Sequence, residues 1–308
     1  MEYDVIVIGG GMAGMSAALT AARLGRKVVI LTGGVPGGEL LNIEKVEGIP
    51  GHEEGVPGYD LCPITQELAD AAGAEFVMDA ADSLAPEGGK WKVASASGEF
   101  VAAAVILAMG AHVAKMGVPG EEEFAGRGVS HCATCDGPLL GGKVAVVAGG
   151  GDSGMQEALT LANFVEKAVI VTRSDGLTGQ AAYREQVEAN PKIDVIAASE
   201  VTAIEGEGKV ETVRLRNLAS GEETELAAEG VFSFVGLEPT IGPAEGVVEL
   251  AEDGRIAVDA QLRSSAKGVF AAGNVRAGNS WRAAGAMGDG ATAAIAADRY
   301  LSTGDWAG

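Results

Sequence analysis

The chemistry of this chain concentrates in one stretch, His131-Cys132-Ala133-Thr134-Cys135-Asp136-Gly137. Two cysteines two residues apart, followed at once by an acid, form a dithiol/disulfide couple: one thiolate attacks a partner disulfide and the other resolves the mixed disulfide. Asp136 could give a proton to a departing thiolate or take one from a thiol. His131 could lower the pKa of Cys132 by proximity or serve only as a surface residue. A zinc site would need two more ligands at similar spacing. The third cysteine, Cys62, stands alone, and the other histidines are His52 and His112, so no metal is expected. A pair of inert buried cysteines fits poorly with Asp136 and Gly137, which mark a turn.

Such a couple needs a scaffold, and glycine spacing supplies one. Val5-Ile6-Val7-Ile8 is a β-branched strand, followed by Gly9-Gly10-Gly11-Met12-Ala13-Gly14, a small-residue helix over Ser16–Leu24 and a second strand over Lys27–Leu31. Gly9, Gly11 and Gly14 hold the positions of a dinucleotide fingerprint, where glycine permits a tight turn, close approach of backbone to pyrophosphate and close helix–strand packing. The helix N-terminus then faces the phosphates. The second strand ends in Thr32-Gly33-Gly34, with no acid for a ribose hydroxyl. About 140 residues later the pattern repeats: a strand over Lys143–Val147, then Gly149-Gly150-Gly151-Asp152-Ser153-Gly154, a helix over Met155–Phe164 and a strand over Ala168–Val171. An internal duplication of this kind implies two dinucleotide-type domains.

Between these units the sequence predicts a functional loop over Gly33–Gly58 and a helix over Cys62–Ala72 that buries Cys62. Strand-rich meanders are expected over Val77–Val105 and Pro191–Glu229, with strands at Val231–Gly236 and Gly268–Asn274 and a long terminal helix over Ala283–Leu301. Val118-Pro119-Gly120 with Glu121-Glu122-Glu123 reads as a solvated linker. The 308 residues suffice for two cores. Forty-seven glycines against ten prolines fit turn-rich α/β architecture rather than disorder. A net charge of −21 disfavours nucleic acid and anionic membrane as partners. Met1-Glu2-Tyr3-Asp4 runs straight into a strand without a signal peptide, and no apolar run would span a bilayer. A cytoplasmic protein is expected, in keeping with a redox cysteine pair in a reducing compartment.

Over nearly its whole length the chain resembles the low-molecular-weight thioredoxin reductases, flavoproteins of the pyridine-nucleotide-disulfide type. The resemblance is carried by Gly9–Gly14, Gly37-Gly38-Glu39-Leu40, Val46-Glu47-Gly48-Ile49-Pro50-Gly51, Met109-Gly110-Ala111, Cys132–Gly137, Gly149–Gly154, Phe234–Pro239 and Gly268–Asn274. It implies an α/β fold of two three-layer Rossmann-like dinucleotide-binding domains, the second inserted in the first. Residues 1–115 and 243–308 would bind FAD, and 116–242 would form the NAD(P)-binding-like domain carrying the disulfide. Implied FAD contacts are Gly9, Gly11, Gly14, Gly38, Glu39, Leu40, Asn42, Gly110, Gly273, Asn274, Trp281, Arg282 and Ala283. By the same resemblance Cys135 lies on the flavin side, Cys132 attacks thioredoxin and Asp136 is the acid. The family is homodimeric and rotates one domain against the other.

Three departures bear on the electron donor. Members using NADPH carry His-Arg-Arg-Asp-x-Phe-Arg after the second strand of the inserted domain; here Thr172-Arg173-Ser174-Asp175-Gly176-Leu177-Thr178 keeps only the first arginine. A 2′-phosphate carrying about two charges is held by several charge-assisted contacts, and NADH would want an acid where Thr172 stands. The Gly-Asp pair of the C-terminal FAD motif is Gly273-Asn274, whose amide can still hydrogen-bond a ribityl hydroxyl. The family's Arg-Gln-Ala is Trp281-Arg282-Ala283, and Trp281 could stack near the flavin, plug the nicotinamide path or fill an interface. Similar sequences without the basic run take electrons from ferredoxin or a reduced deazaflavin, so a nicotinamide-independent thioredoxin reductase is the leading expectation. An acidic ferredoxin would need a basic patch, with Arg173, Arg184, Lys192, Arg214 and Arg216 as candidates. The alternatives are an NADPH-dependent enzyme with a degenerate motif, an oxygen-linked dithiol oxidase (whose relatives carry His where Asp136 stands) and a flavin-bearing redox sensor.

Overall fold

The structure, a computed structural model, describes residues 1–306. In chain order the strands are β1 (Glu2–Ile8), β2 (Val28–Leu31), β3 (Glu75–Val77), β4 (Ala81–Glu87), β5 (Lys90–Ser95), β6 (Gly98–Leu107), β7 (Ala111–Val113), β8 (Val129–Ser130), β9 (Val144–Ala148), β10 (Lys167–Val171), β11 (Ile193–Ile196), β12 (Ser199–Glu205), β13 (Thr212–Asn217), β14 (Glu223–Ala227), β15 (Gly230–Ser233), β16 (Leu237–Pro239) and β17 (Val269–Ala271). The helices are α1 (Met12–Arg23), α2 (Gly58–Ala71), α3 (Ala133–Asp136), α4 (Asp152–Leu161), α5 (Ala181–Ala189) and α6 (Ala283–Thr303). The chain divides into two units. The first joins Met1–His112 to the residues from Pro239 on, and the second is Val113–Glu238.

The first unit is built on a sheet ordered β3-β2-β1-β6-β5-β4, with β17 beside the C-terminal half of β6. β3, β2, β1, β6 and β17 run parallel, while β6, β5 and β4 form an antiparallel meander. Strand alternation sends Val5 and Val7 to one face and Ile6 and Ile8 to the other. Both faces are covered, which is why β2 and the Val5–Ile8 half of β1 are apolar. The first face packs against the small-residue surfaces of α1 and α6 (Ala17, Ala21, Ala293, Ala297). A Cβ on Gly290 would stand 2.1 Å from the Ala13 carbonyl oxygen, so only glycine lets α6 cross α1 this closely. That crossing sets the start of α6 beside the first glycine loop.

The second unit has a parallel sheet ordered β11-β10-β9-β15-β8. Val147 and Ile170 face a core with Met155 and Leu161 of α4, while Val146 and Val169 face one with Val201, Val213 and Leu215 of the antiparallel β12-β13-β14 sheet. Helix, sheet and meander make three layers.

Three local readings change. α2 begins at Gly58, ahead of the expected Cys62, because Pro57 occupies its N-cap and Gly58 seats against the Leu40 carbonyl, where a Cβ would be 1.7 Å away. α4 begins at Asp152, directly on the glycine loop. The acidic run is not a solvated linker: Glu121 is buried, and its carboxylate accepts the backbone N–H groups of Met116 (2.9 Å) and Gly117 (2.7 Å). Gly120 beside it packs against the Ile204 carbonyl. Glu122 and Glu123 are exposed as expected.

Candidate functional site

In the second unit, β8 delivers the chain to an extended Cys132, which is the N-cap of α3. α3 is a single helical turn, Ala133–Asp136, that brings Cys132 and Cys135 into a disulfide with Cα atoms 5.3 Å apart. Ser130 Oγ accepts the Cys132 N–H (3.1 Å), and Cys132 Sγ accepts the Cys135 N–H (3.2 Å). Ala133 is fully buried in the core under α4. Gly137 closes the turn against Leu161 and the Phe164 ring. Cys135 is exposed, Cys132 and Asp136 are half-buried, and His131 is exposed with Nδ1 3.3 Å from the Ser233 carbonyl oxygen. The turn thus presents a disulfide, an adjoining carboxyl and an imidazole at the C-terminal edge of a parallel sheet. Glu157 of α4 was not singled out in the sequence. Its Oε2 accepts the Ala133 N–H at 2.7 Å, and burial pushes its carboxyl above the ordinary range.

The first unit holds a cavity of about 490 Å³ at the C-terminal ends of β1 and β6, within the usual size for a ligand site. Gly9, Gly11, Gly38, Glu39, Leu40, Gly110, Gly273, Asn274, Trp281, Arg282 and Ala283 all line it. Gly14 and Asn42 do not. A Cβ on Gly14 would lie 1.8 Å from the Gly9 carbonyl oxygen, so this glycine seats the loop on the helix from below, and Asn42 is exposed at the end of a short 3₁₀ turn, Gly38–Asn42. Gly9 (φ 112°) lies against Ala108, whereas the Cβ position of Gly11 has nothing within 4 Å. α1 begins at that point with no side-chain cap, leaving its first N–H groups directed at the cavity side. A glycine loop open over an uncapped helix N-terminus fits the pyrophosphate of a dinucleotide.

The C-terminal wall depends on residues that carried no sequence signal. Asp289 of α6 accepts Gly273 N–H (3.0 Å), Arg276 Nε (2.8 Å) and Arg276 Nη2 (2.7 Å), fastening the Gly273-Asn274 turn to the helix. Trp281 takes a left-handed backbone (φ 55°), rare for a bulky side chain. Its N–H donates to Asn279 Oδ1 (2.9 Å), and the Arg255 guanidinium lies 4.3 Å from its ring centroid. Trp281 is therefore held at the cavity wall by a cation–π contact. Cys62 is buried as expected, its thiol pushed up by burial, with Sγ 3.8 Å from the Gly37 carbonyl oxygen.

The second glycine loop repeats the packing of the first. Cβ atoms on Gly149 and Gly154 would lie 2.2 Å from the Phe234 carbonyl oxygen and 2.0 Å from that of Gly149, while the Cβ position of Gly151 is open. Past β10, Thr172 is buried against Gly150, and the Arg173 side chain is exposed beside Glu200 (3.5 Å). Glu200 also pairs with Arg216, Arg214 with Glu205 and Glu225, and Lys192 Nζ donates to the Ala162 and Val165 carbonyls. Of the five candidate cations these four have local partners, while Arg184 is exposed on α5.

The pattern of the pyridine nucleotide-disulphide oxidoreductase family matches residues 3–290. Thioredoxin reductase of Treponema pallidum is 38% identical over 302 residues, covering 98% of each chain. Thioredoxin reductase of Mycolicibacterium smegmatis is 40% identical over 304 residues, again covering 98% of each. The crystal structure of Lactococcus lactis thioredoxin reductase superposes with a TM-score of 0.94 at 36% identity, covering 97% of this chain and 99% of that one.

Proposed function

We propose that this chain, which belongs to the pyridine nucleotide-disulphide oxidoreductase family and within it to the low-molecular-weight thioredoxin reductases, reduces thioredoxin or a similar small disulfide protein with electrons from a donor other than NADPH. It is an FAD-dependent oxidoreductase with an α/β fold of Rossmann-like domains. The observation that carries the substrate reading is the Cys132–Cys135 disulfide on its one-turn helix.

FAD, when bound, supplies two-electron transfer between a donor and the disulfide. The first unit would hold it: the Gly9–Gly14 loop and the α1 N-terminus at the pyrophosphate, Gly38, Glu39, Leu40 and Gly110 along the cavity, and Gly273, Asn274, Trp281, Arg282 and Ala283 at the α6 end. Asn42 is retained in this set only as a flanking residue. In the reduced dithiol, Cys132 as thiolate attacks one sulfur of the substrate disulfide, forming a mixed disulfide and expelling the first substrate thiolate. Cys135 then attacks Cys132 Sγ, restoring the internal disulfide and expelling the second. Two electrons pass to the substrate, and Asp136, which follows Cys135 in the chain, would deliver a proton to a departing thiolate. The unit boundaries support domains of FAD-binding and disulfide-bearing type. Exposed Tyr59, Ile64 and Leu68 on α2 support a homodimer, and a chain whose third cysteine is a buried free thiol suits the cytoplasm.

The donor reading rests on the loop after β10. Arg173 has a glutamate for company, Ser174 replaces a second arginine and Thr178 a third, so a 2′-phosphate lacks its clamp. Arg173, Arg214 and Arg216 are paired with glutamates in a chain of net charge −21, which favours a small reduced deazaflavin over an acidic ferredoxin. The intact second glycine loop favours the other reading, an NADPH-dependent reductase. Anaerobic titration of the yellow protein separates them. The expected result is no loss of flavin absorbance with NADPH or NADH, and full reduction by a low-potential donor. Rapid bleaching by NADPH would establish the second reading.

A further inference from the structure

We infer that Glu157 is a positioning residue for the redox turn, and that its carboxylate charge holds the Cys132 thiol less acidic than the turn would otherwise make it. The inference rests on the assignment of Cys132 as the attacking thiol.

The geometry is direct. α3 is only four residues long and carries both cysteines. Its first residue, Ala133, is fully buried, so its N–H has no access to water. The acceptor it finds is Glu157 Oε2, 24 residues away on α4, at 2.7 Å. The turn is thereby tied to the helix that starts at the second glycine loop. This bond lies on the peptide immediately following Cys132. The titratable groups on and against the turn are His131 from the preceding segment, Asp136 from α3 itself and Glu157 from α4, while Asp152 heads α4 at the glycine loop. Asp152 Oδ1 is occupied by the Gln180 N–H (2.6 Å), and His131 Nδ1 lies by the Ser233 carbonyl. Among the described residues no cation offsets Glu157, which is set by burial and the Ala133 N–H.

The electrical consequence follows when the disulfide is reduced. The Cys135 N–H, 3.2 Å from Cys132 Sγ, favours a thiolate on Cys132. A carboxylate bonded to the neighbouring peptide opposes it. The two contacts act in opposite directions on the reduced Cys132, and discarding the Glu157 charge leaves the thiolate-favouring one unopposed. A glutamine at 157 keeps an oxygen acceptor for Ala133 N–H and discards the charge, so it separates positioning from electrostatics.

The test is alkylation of the reduced holoenzyme by iodoacetamide across the pH range, with the labelled cysteine identified by peptide mass mapping. Glu157→Gln is expected to label Cys132 about three- to tenfold faster at pH 7, with its pH profile moved to lower pH by up to about one unit. Glu157→Ala, which removes charge and acceptor together, must move the profile the same way, so the proposal does not depend on one variant. A Glu157→Gln profile that superimposes on that of the unaltered protein overturns the inference and leaves the thioredoxin reductase reading intact. Labelling at Cys135 in place of Cys132 overturns the attacking-thiol assignment and the inference with it.

Discussion

Replacing Asp289 with alanine removes the strut under the Gly273-Asn274 turn, and its cost can be worked from three contacts. The Asp289 and Arg276 side chains are 14% and 16% exposed, so both ends of the pair are nearly out of water. Removing one partner of a buried ion pair costs about 3–5 kcal/mol, since the other charge stays behind uncompensated. Arg276 keeps a bond from Nη1 to the Ala277 carbonyl (2.9 Å), and its residual exposure admits some water. The loss of the carboxylate under Gly273 N–H works the other way, adding part of an unsatisfied donor. A net destabilisation of about 2–4 kcal/mol follows, which for a unit of this size lowers Tm by roughly 5–12 °C. The measurement is thermal unfolding followed by far-UV circular dichroism, with flavin fluorescence reporting release. Flavin release should precede or accompany the lowered transition, since the turn lines the cavity. Asp289→Asn retains an acceptor for Gly273 N–H and should lose less. Truncating Arg276 as well removes the orphaned charge, so the double variant should be more stable than the sum of singles predicts by at least about 1 kcal/mol. A Tm for Asp289→Ala within 2 °C of the unaltered protein, or strict additivity in the cycle, would refute the reasoning.

Two further outcomes probe the scaffold. Glu121→Ala leaves two backbone N–H groups at Met116 and Gly117 without their acceptor and should cost about 1–3 kcal/mol, seen as a lower urea midpoint; Glu121→Gln, with a single acceptor oxygen, should fall between, and equal midpoints for alanine and the unaltered protein would return this residue to the solvated surface. Tyr3 donates to Glu75 Oε2 at 2.6 Å, and burial with that neighbour pushes its phenol up to about 12. An unfolded tyrosine ionises near 10, so the stability from Tyr3 is fully present below about pH 10 and is lost as pH rises towards 12. Tyr3→Phe should flatten this decline in urea midpoint over the same window, and an unchanged slope would remove Tyr3 from the account.

How much of this was legible in the sequence depends on whether a role leaves a mark in residue type. The glycine loops do. At Gly9, Gly14, Gly149 and Gly154 a side chain would meet backbone oxygen at 2.2 Å or less, so only one residue fits and the spacing is readable twice. The cysteine pair does too, because its chemistry needs sulfur at that separation. The start of α6 was legible as cavity wall, though the left-handed Trp281 backbone and its Arg255 partner were not, being 26 residues apart with no periodic relation.

Carboxylates left no such mark. In a chain with 43 acidic residues, Glu121, Glu157 and Asp289 are indistinguishable by type from the solvated majority. Each works by accepting backbone N–H groups whose position is set by folding. The same blindness affects the cations, with direct bearing on the donor. Glu200 stands opposite Arg216, and Glu225 opposite Arg214, in antiparallel register, so sheet pairing decides which arginines are neutralised. Counted by type, Arg173 is a surviving phosphate ligand. Placed by the fold, it shares Glu200 with Arg216, and a nucleotide phosphate would have to compete with a carboxylate already in place. Exposed pairs are weak, so this competition alone would not exclude NADPH. It bears on the proposed donor because Ser174 and Thr178 supply no second or third arginine beside Arg173.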